Sequence, residues 1–311
     1  MNATMKAMVQ TKQGSADHIK LQQVKRPTPK ANEVLIKVHA ATVTAGDVFI
    51  RKLPRIAFLP LRLMGVKHKQ TPGHELAGEV VAIGDDVTKF RVGDAVFGTT
   101  SGTSIGANAE YVNLPETSKS GKLELMPNNV SFEEAAAIPV GAMTAINLLD
   151  TANISAGQSV LIYGASGSVG SYAIQVAKYL GAEVTGVCST RNVEMVKALG
   201  ADHVIDYTQE DYTENGKTYD VIFDAVGKTS KKISENSLAS DGHYLTIQTI
   251  TKQSVNDFLF AKKLVEAGHL RAFIDKTYPL EQLADAHHYV ESGRKRGNIV
   301  INVVPTNSAT A

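Results

Sequence analysis

Three glycines at intervals of three residues, Gly164, Gly167 and Gly170, stand between an apolar run, Val160–Tyr163, and a helical pattern over Ser171–Leu180 that Gly181 closes. Strand, glycine turn and helix N-terminus make an anion site. Backbone N–H groups without helical partners and the positive end of the helix dipole face a phosphate, which can come close because no Cβ stands in the way. A second strand, Glu183–Cys188, follows and ends in Ser189, Thr190, Arg191 and Asn192. A site for NAD places a carboxylate at that point to accept from the ribose hydroxyls. This chain has an arginine and two hydroxyls there instead, which is the chemistry needed for a 2′-phosphate and therefore for NADP(H). The competing reading of Arg191 is a solvated residue opening the helix Asn192–Leu199, although a cation in a first helical turn opposes the dipole.

The rest of the chain must carry this site. At 311 residues, 43% hydrophobic and 20% charged, with a net charge of +1, the composition is that of a soluble globular protein with room for two domains. The charge balance argues against a nucleic-acid or membrane footprint, and short basic patches such as Lys67–Lys69 and Arg294–Arg296 read as solvated faces. No apolar run is long enough to span a bilayer and no signal segment opens the sequence, so the expected location is cytoplasmic. One cysteine, Cys188, excludes an internal disulfide and a multi-thiolate metal site.

Short β-like runs at Lys6–Gln10, Ile19–Val24, Val34–Ala40, Leu76–Val81, Ala95–Gly98 and Ala109–Val112 fill the first part, with glycines at 73, 78, 84, 93, 98, 102 and 106. That density suits a β-barrel-like domain with tight corners. Ser131 and Glu134 form a capping box that opens a helix. Strands at 160–163, 184–188, 203–205, 220–224 and 243–247 then alternate with helices, which requires a parallel, doubly wound sheet. A helix near Leu280–Glu291 and a strand at Asn298–Val304 return to the first domain. The layout is a β domain over 1–130 and 269–311, interrupted by a nucleotide domain over 131–268.

Several blocks in order, among them Glu33–Ala40, Pro72–Val80, Phe90–Phe97, Gly164–Gly170, Leu199–Tyr207 and Ile274–Leu280, resemble the medium-chain dehydrogenase/reductase superfamily on its zinc-independent quinone oxidoreductase-like branch. The resemblance implies an α/β fold: a GroES-like β-barrel domain plus a doubly wound parallel Rossmann sheet, with substrate and nicotinamide meeting in a cleft. It implies hydride transfer from NADPH to a small-molecule quinone, enone or carbonyl. It places Gly164, Ala165, Ser166, Gly167, Ser168, Val169 and Gly170 at the pyrophosphate, and Ser189, Thr190, Arg191 and Tyr207 at the adenosine phosphate. Thr144 falls near the nicotinamide riboside, and Ala225, Val226 and Gly227 fall where the nicotinamide ribose runs past. It also implies Thr44, Asp47 and His74 as the polar, catalytic residues, in a family where Asn is usual at the position of Thr44.

Zinc relatives need a thiolate, an imidazole and a third Cys or carboxylate. His74 matches the imidazole, but Thr44 replaces the thiolate and Val140 falls where the third ligand would be, so no metal is expected. The family also carries several tens of residues after Gln248, including a sixth sheet strand; here Thr249–Ser254 leads directly to a helix over Val255–Ala267, leaving about five strands. The apolar edge at Tyr244–Ile247 then needs a cover, and a homodimer is one. Two other readings stay open: a metal-free carbonyl or alcohol dehydrogenase, and an NADPH-binding redox sensor without turnover.

Overall fold

The computed structural model describes residues 3–54, 56, 70–101, 106–118, 121–249 and 254–304. Lys67–Lys69, Gly102 and most of the Thr249–Ser254 connection lie outside them. The chain divides into two compact units, one running up to Val140 and resuming at Ile274, the other over Gly141–Phe273.

The first unit is built mainly of β-strands. Strands β1 (Thr4–Gln10) and β2 (Ile19–Lys25) form an antiparallel hairpin. β3 (Glu33–Thr42), β4 (Glu75–Ile83), β5 (Ala95–Thr99), β6 (Tyr111–Pro115), β7 (Leu123–Leu125), β13 (Ile274–Pro279) and β14 (Asn298–Asn302) make a sheet in the order β13-β14-β3-β4-β5-β7, with β6 also on β3. β3 alternates so that Val34, Ile36 and Val38 are fully buried beside Leu76, Val80, Val96 and Ile301 in one apolar core. The strand expected at Ala109–Val112 lies two residues later as β6, and Ala109 makes only an isolated bridge to Ala7.

Helix α1 (Ala45–Lys52) is not among the elements expected from the sequence. Its capping box is Thr44 with Asp47. The box signalled by Ser131 and Glu134 is present and starts α2 (Phe132–Ala137), after which α3 (Pro139–Asp150) begins. Near the C-terminal end, α7 (Leu283–Glu291) follows a single 3-10 turn over Leu280–Gln282.

The second unit holds five parallel strands, β8 (Ser159–Tyr163), β9 (Glu183–Cys188), β10 (His203–Asp206), β11 (Tyr219–Asp224) and β12 (Leu238–Thr246), in the order β10-β9-β8-β11-β12. Most of α3, from Gly141 on, belongs to it too, with helices α4 (Ser168–Tyr179), α5 (Val193–Ala198) and α6 (Val255–Glu266). β12 begins five residues earlier than the 243–247 strand read from the sequence, because a bulge at Ala239–Gly242 separates Leu238, opposite Tyr219, from His243, opposite Val221. That bulge and the exposed Asp241 limit what the edge offers to a partner strand. Among the described residues no helix is long and apolar enough to cross a membrane.

Candidate active site

In the second unit the glycine turn has the form its spacing predicts. Gly164 has φ +79, a left-handed conformation, and Gly167 is the N-cap of α4 with no side chain to occupy the helix end. The N–H groups of Gly164 and Ala165 donate to the Val187 carbonyl at 3.1 and 3.0 Å, and Gly167 N–H donates to the Gly164 carbonyl at 3.0 Å. A Cβ on Gly170 would lie 2.3 Å from the Gly164 carbonyl oxygen, so helix and turn touch backbone to backbone. Ser168, Val169 and Gly170 are the first three residues of α4, so the turn meets the end of the helix that favours an anion. The glycine turn and the bare helix end beside it fit a pyrophosphate.

Asn192, buried at 4% exposure, joins the turn to the end of β9. Its side-chain amide donates to the hydroxyl oxygens of Ser166 at 2.9 Å and Ser189 at 3.2 Å. Thr190 donates its hydroxyl to Asp206 at 2.5 Å, and Arg191 at this corner is exposed. Asp206 is held below the usual carboxylate range by the hydrogen bonds it accepts from Thr190, Thr208 and Gln209. Tyr207, exposed, is placed beside this corner by its N–H bond to the Cys188 carbonyl at 3.0 Å. A cavity of about 390 Å³ opens there, lined by Tyr163, Tyr207, Tyr212, Lys228 and Thr229.

The Ala225–Gly227 turn is held by Asp224, fully buried, whose carboxylate accepts from the N–H groups of Val226, Gly227 and Lys228 at 3.1, 2.8 and 3.2 Å and of Thr229 at 3.1 Å. Val226 then packs against Gly164, where a Cβ would come within 2.5 Å of its Cγ1. Thr144 lies one turn along α3 from Gly141, whose Cα approaches Ser168 and Tyr172 so closely that a Cβ would sit 2.6 Å from Ser168 Oγ. The expected cofactor residues thus gather around the C-terminal ends of β8, β9 and β11. Asn192 and Asp224 were missed, although an Asp ending an apolar strand before Ala-Val-Gly is a readable turn signal.

In the first unit Thr44, Asp47 and His74 meet. His74 Nδ1 is 2.6 Å from Asp47 Oδ1. The other oxygen of Asp47 accepts from Thr44 N–H at 2.8 Å and from the Thr44 hydroxyl at 2.6 Å, while Asp47 N–H donates to Thr44 Oγ1 at 3.0 Å. Burial alone would push the Asp47 carboxyl up, but the His74 charge, the hydrogen bonds from His74 and Thr44 and the nearby His287 hold it well below the usual carboxylate range. The Thr44 hydroxyl hydrogen is committed to Asp47, so Thr44 braces the carboxylate and its hydrogen does not point to a substrate. On the far side of Asp47, buried Arg51 joins α1 to α7 through Glu291, Nη2 to Oε2 2.7 Å, and His287 of α7 is fully buried.

Glu75 is more than a charged neighbour of His74. Its buried carboxylate accepts from the Thr42 hydroxyl and, at 2.6 Å, from Val140 N–H near the start of α3. Burial pushes it up to about 8, against the pull of Thr42, Val140 and Lys295, and burial pushes Lys295 down to about 8. The donor set does not fit a catalytic zinc: the Thr44 oxygen is engaged with Asp47, the Val140 side chain has no atom that can coordinate, and the Val140 N–H is bonded to Glu75. Among the described residues no group of three or more His, Cys, Asp or Glu could hold a metal ion.

Comparison with known proteins fits both halves. A model of the alcohol dehydrogenase GroES-like domain matches residues 30–124, and one described as zinc-binding dehydrogenase matches 168–275. The chain is 34% identical to the 2-methylene-furan-3-one reductase of Solanum lycopersicum over 97% of its own length and 80% of the relative's. It is 32% identical to the NADPH-dependent alkenal/one oxidoreductase of Arabidopsis thaliana, covering 97% and 80%. The solved quinone oxidoreductase of Coxiella burnetii superposes with a TM-score of 0.81 at 27% identity, covering 97% of this chain and all of that one. The fold and these matches define a nicotinamide-dependent oxidoreductase. The chain belongs to the medium-chain dehydrogenase/reductase superfamily, on its quinone oxidoreductase-like branch.

Proposed function

We propose that the protein reduces a quinone or an α,β-unsaturated carbonyl with NADPH and without a metal. The observation that supports this most is the end of β9, where Ser189 and exposed Arg191 stand at the position that a carboxylate takes in an NAD site. The tomato and Arabidopsis relatives, named for reduction of a methylene-furanone and of alkenals and enones, supply the acceptor class. When bound, the cofactor supplies a hydride. The Gly164–Gly170 turn would hold its pyrophosphate, Arg191 and Ser189 its 2′-phosphate, and the Ala225–Gly227 turn and Thr144 its nicotinamide half. Asp47 and Thr44 hold the His74 ring as a donor toward the oxyanion that forms on the acceptor, a charge that needs fixed donors. The test is anaerobic NADPH titration followed by a panel of quinones and enones; binding with no oxidation of any acceptor would favour a sensor.

Two further outcomes belong to this reading. Arg191→Ala should weaken NADPH binding by about 2–3 kcal/mol, the scale of charge-assisted hydrogen bonds to phosphate, with little effect on NADH. Calorimetry with both cofactors decides it, and equal weakening would make Arg191 a support of its turn. Metal analysis of purified protein should find no stoichiometric zinc, and chelators should leave activity unchanged; one tightly held zinc per chain would overturn the metal-free assignment.

A further inference from the structure

The Asp47–His74 pair is built to be open on one side. The Asp47 side chain is 1% exposed and that of His74 is 22% exposed. A carboxylate only accepts, so the hydrogen in the 2.6 Å contact sits on Nδ1 and is donated to Asp47. Thr44 fixes the carboxylate with two hydrogen bonds, and the His74 carbonyl accepts from Thr100 N–H at 2.9 Å, so the carboxylate and the main chain that carries the ring are both held. Nδ1 being taken, Nε2 is the ring's other hydrogen-bonding atom. A carboxylate behind an imidazole fixes its orientation and stabilises the imidazolium form.

We propose that His74 is the proton donor of the reaction, delivering the hydrogen on Nε2 to the oxygen of an enolate, and that the acceptor class is the α,β-unsaturated carbonyl. The proposal rests on the NADPH-dependent reductase reading. Hydride arrives at the β-carbon of the acceptor, the electron pair of the carbon–carbon double bond shifts, and the charge appears on the carbonyl oxygen. The Nε2–H bond then breaks and an O–H bond forms. His74 becomes a neutral imidazole that keeps Nδ1–H on Asp47, which stays a carboxylate throughout. The enol leaves and becomes the saturated ketone in water, and the exposed side of the ring regains a proton from solvent. Two electrons and one hydrogen come with the hydride and one proton comes from His74, so the sum closes. A quinone that takes hydride leaves a phenolate, a weaker base than a ketone enolate, and so depends less on a donor. The groups around the pair are Arg51 on α1, Glu75 on β4, His287 and Glu291 on α7, and Lys295 after it.

The test uses the full chain with NADPH, a simple enone and an electron-poor quinone. His74→Phe should lower enone kcat roughly 10²–10⁴-fold, the span of general-acid catalysis, and quinone kcat less than about tenfold. His74→Gln keeps an N–H donor but cannot release a proton, and should lose most of the enone rate as well. Asp47→Asn should lower enone kcat more than it changes KM and shift the pH profile of kcat. Two readouts need no turnover. In ¹⁵N-histidine spectra the bonded Nδ1–H of His74 should disappear in Asp47→Asn, and 4-nitrophenolate, an oxyanion shaped like the enolate, should bind the NADP⁺ complex at least about tenfold tighter in wild type than in His74→Phe. Folding of each variant is checked by its melting temperature, and a His74→Phe chain that fails to fold passes the decision to His74→Gln. Enone rates within about threefold of wild type in a folded His74 variant, or equal losses for enone and quinone, would overturn the proposal. Wild type that oxidises NADPH with no acceptor of either kind would overturn the reductase reading itself.

Discussion

Gly170→Ala should remove nucleotide binding while leaving the first unit's chemistry intact. The added Cβ would sit 2.3 Å from the Gly164 carbonyl oxygen and 2.9 Å from Ala165 Cα. Both neighbours are backbone, and both are tied down: Ala165 N–H donates to Val187 at 3.0 Å, and Ala165 is fully buried. No side chain can rotate out of the way, so the turn must retreat from the helix and carry its amides with it. Overpacking of this kind costs about 1–3 kcal/mol of stability. The loss of NADPH affinity should be larger, beyond about 100-fold or 2.7 kcal/mol, because the amides and the helix end act on the phosphate only when aligned. Calorimetric titration with NADPH and a denaturation curve on the same sample separate the two effects. Affinity within about fivefold of wild type would show that the pyrophosphate does not rest on this turn.

Acidification should expose His287. The ring is fully buried, and burial, with the charge of Arg51, pushes it down to about 4, although Asp47 and Glu291 pull the other way. The folded state therefore favours the neutral ring, while the unfolded chain takes up a proton near the ordinary histidine value. The stability this confers is complete above about pH 6.5 and is lost as pH falls towards 4, amounting to about 3 kcal/mol. Asp47 acts in a lower window, since its depressed carboxyl stabilises the fold above the usual carboxylate range and that contribution fades below it. His287→Leu should flatten the first loss and leave the second. Urea unfolding of wild type and variant at pH 7.5 and 4.5 reads the difference. Curves that stay parallel would show that His287 is not the group that titrates.

The nucleotide half was readable because its logic is local. Glycine spacing, the apolar strand before it and the helix after it lie within one short stretch, and apolar runs mark β8, β9 and β11. The bulge in β12 was not readable, since Leu238–Gly242 carries no alternation and is placed by pairing with β11. The polar cluster was readable only in part. His74 and Asp47 are 27 positions apart, and nothing in either segment says that one ring nitrogen meets one carboxylate oxygen. Thr44 and Asp47, three apart, did carry a signal: threonine followed by an acid at the third position is a capping box, and reading it would have found α1 and shown where the threonine hydroxyl goes. The partner of Glu75 is a backbone N–H 65 positions away, which no residue type announces.

The order of strands in the first unit also dictates when that unit can be finished. β14 lies inside its sheet, between β13 and β3, with Val300 opposite Thr42 and Asn302 opposite Ala40. Everything from Gly141 to Phe273 is made by the ribosome after β3 and before β14, and that interval is itself a compact unit with all five of its strands in hand. The part of the protein that is synthesised first is thus the part that closes last. Until the final strand arrives, β3 waits with an open apolar flank, a long-range contact of the kind that slows folding and exposes nascent chains to aggregation.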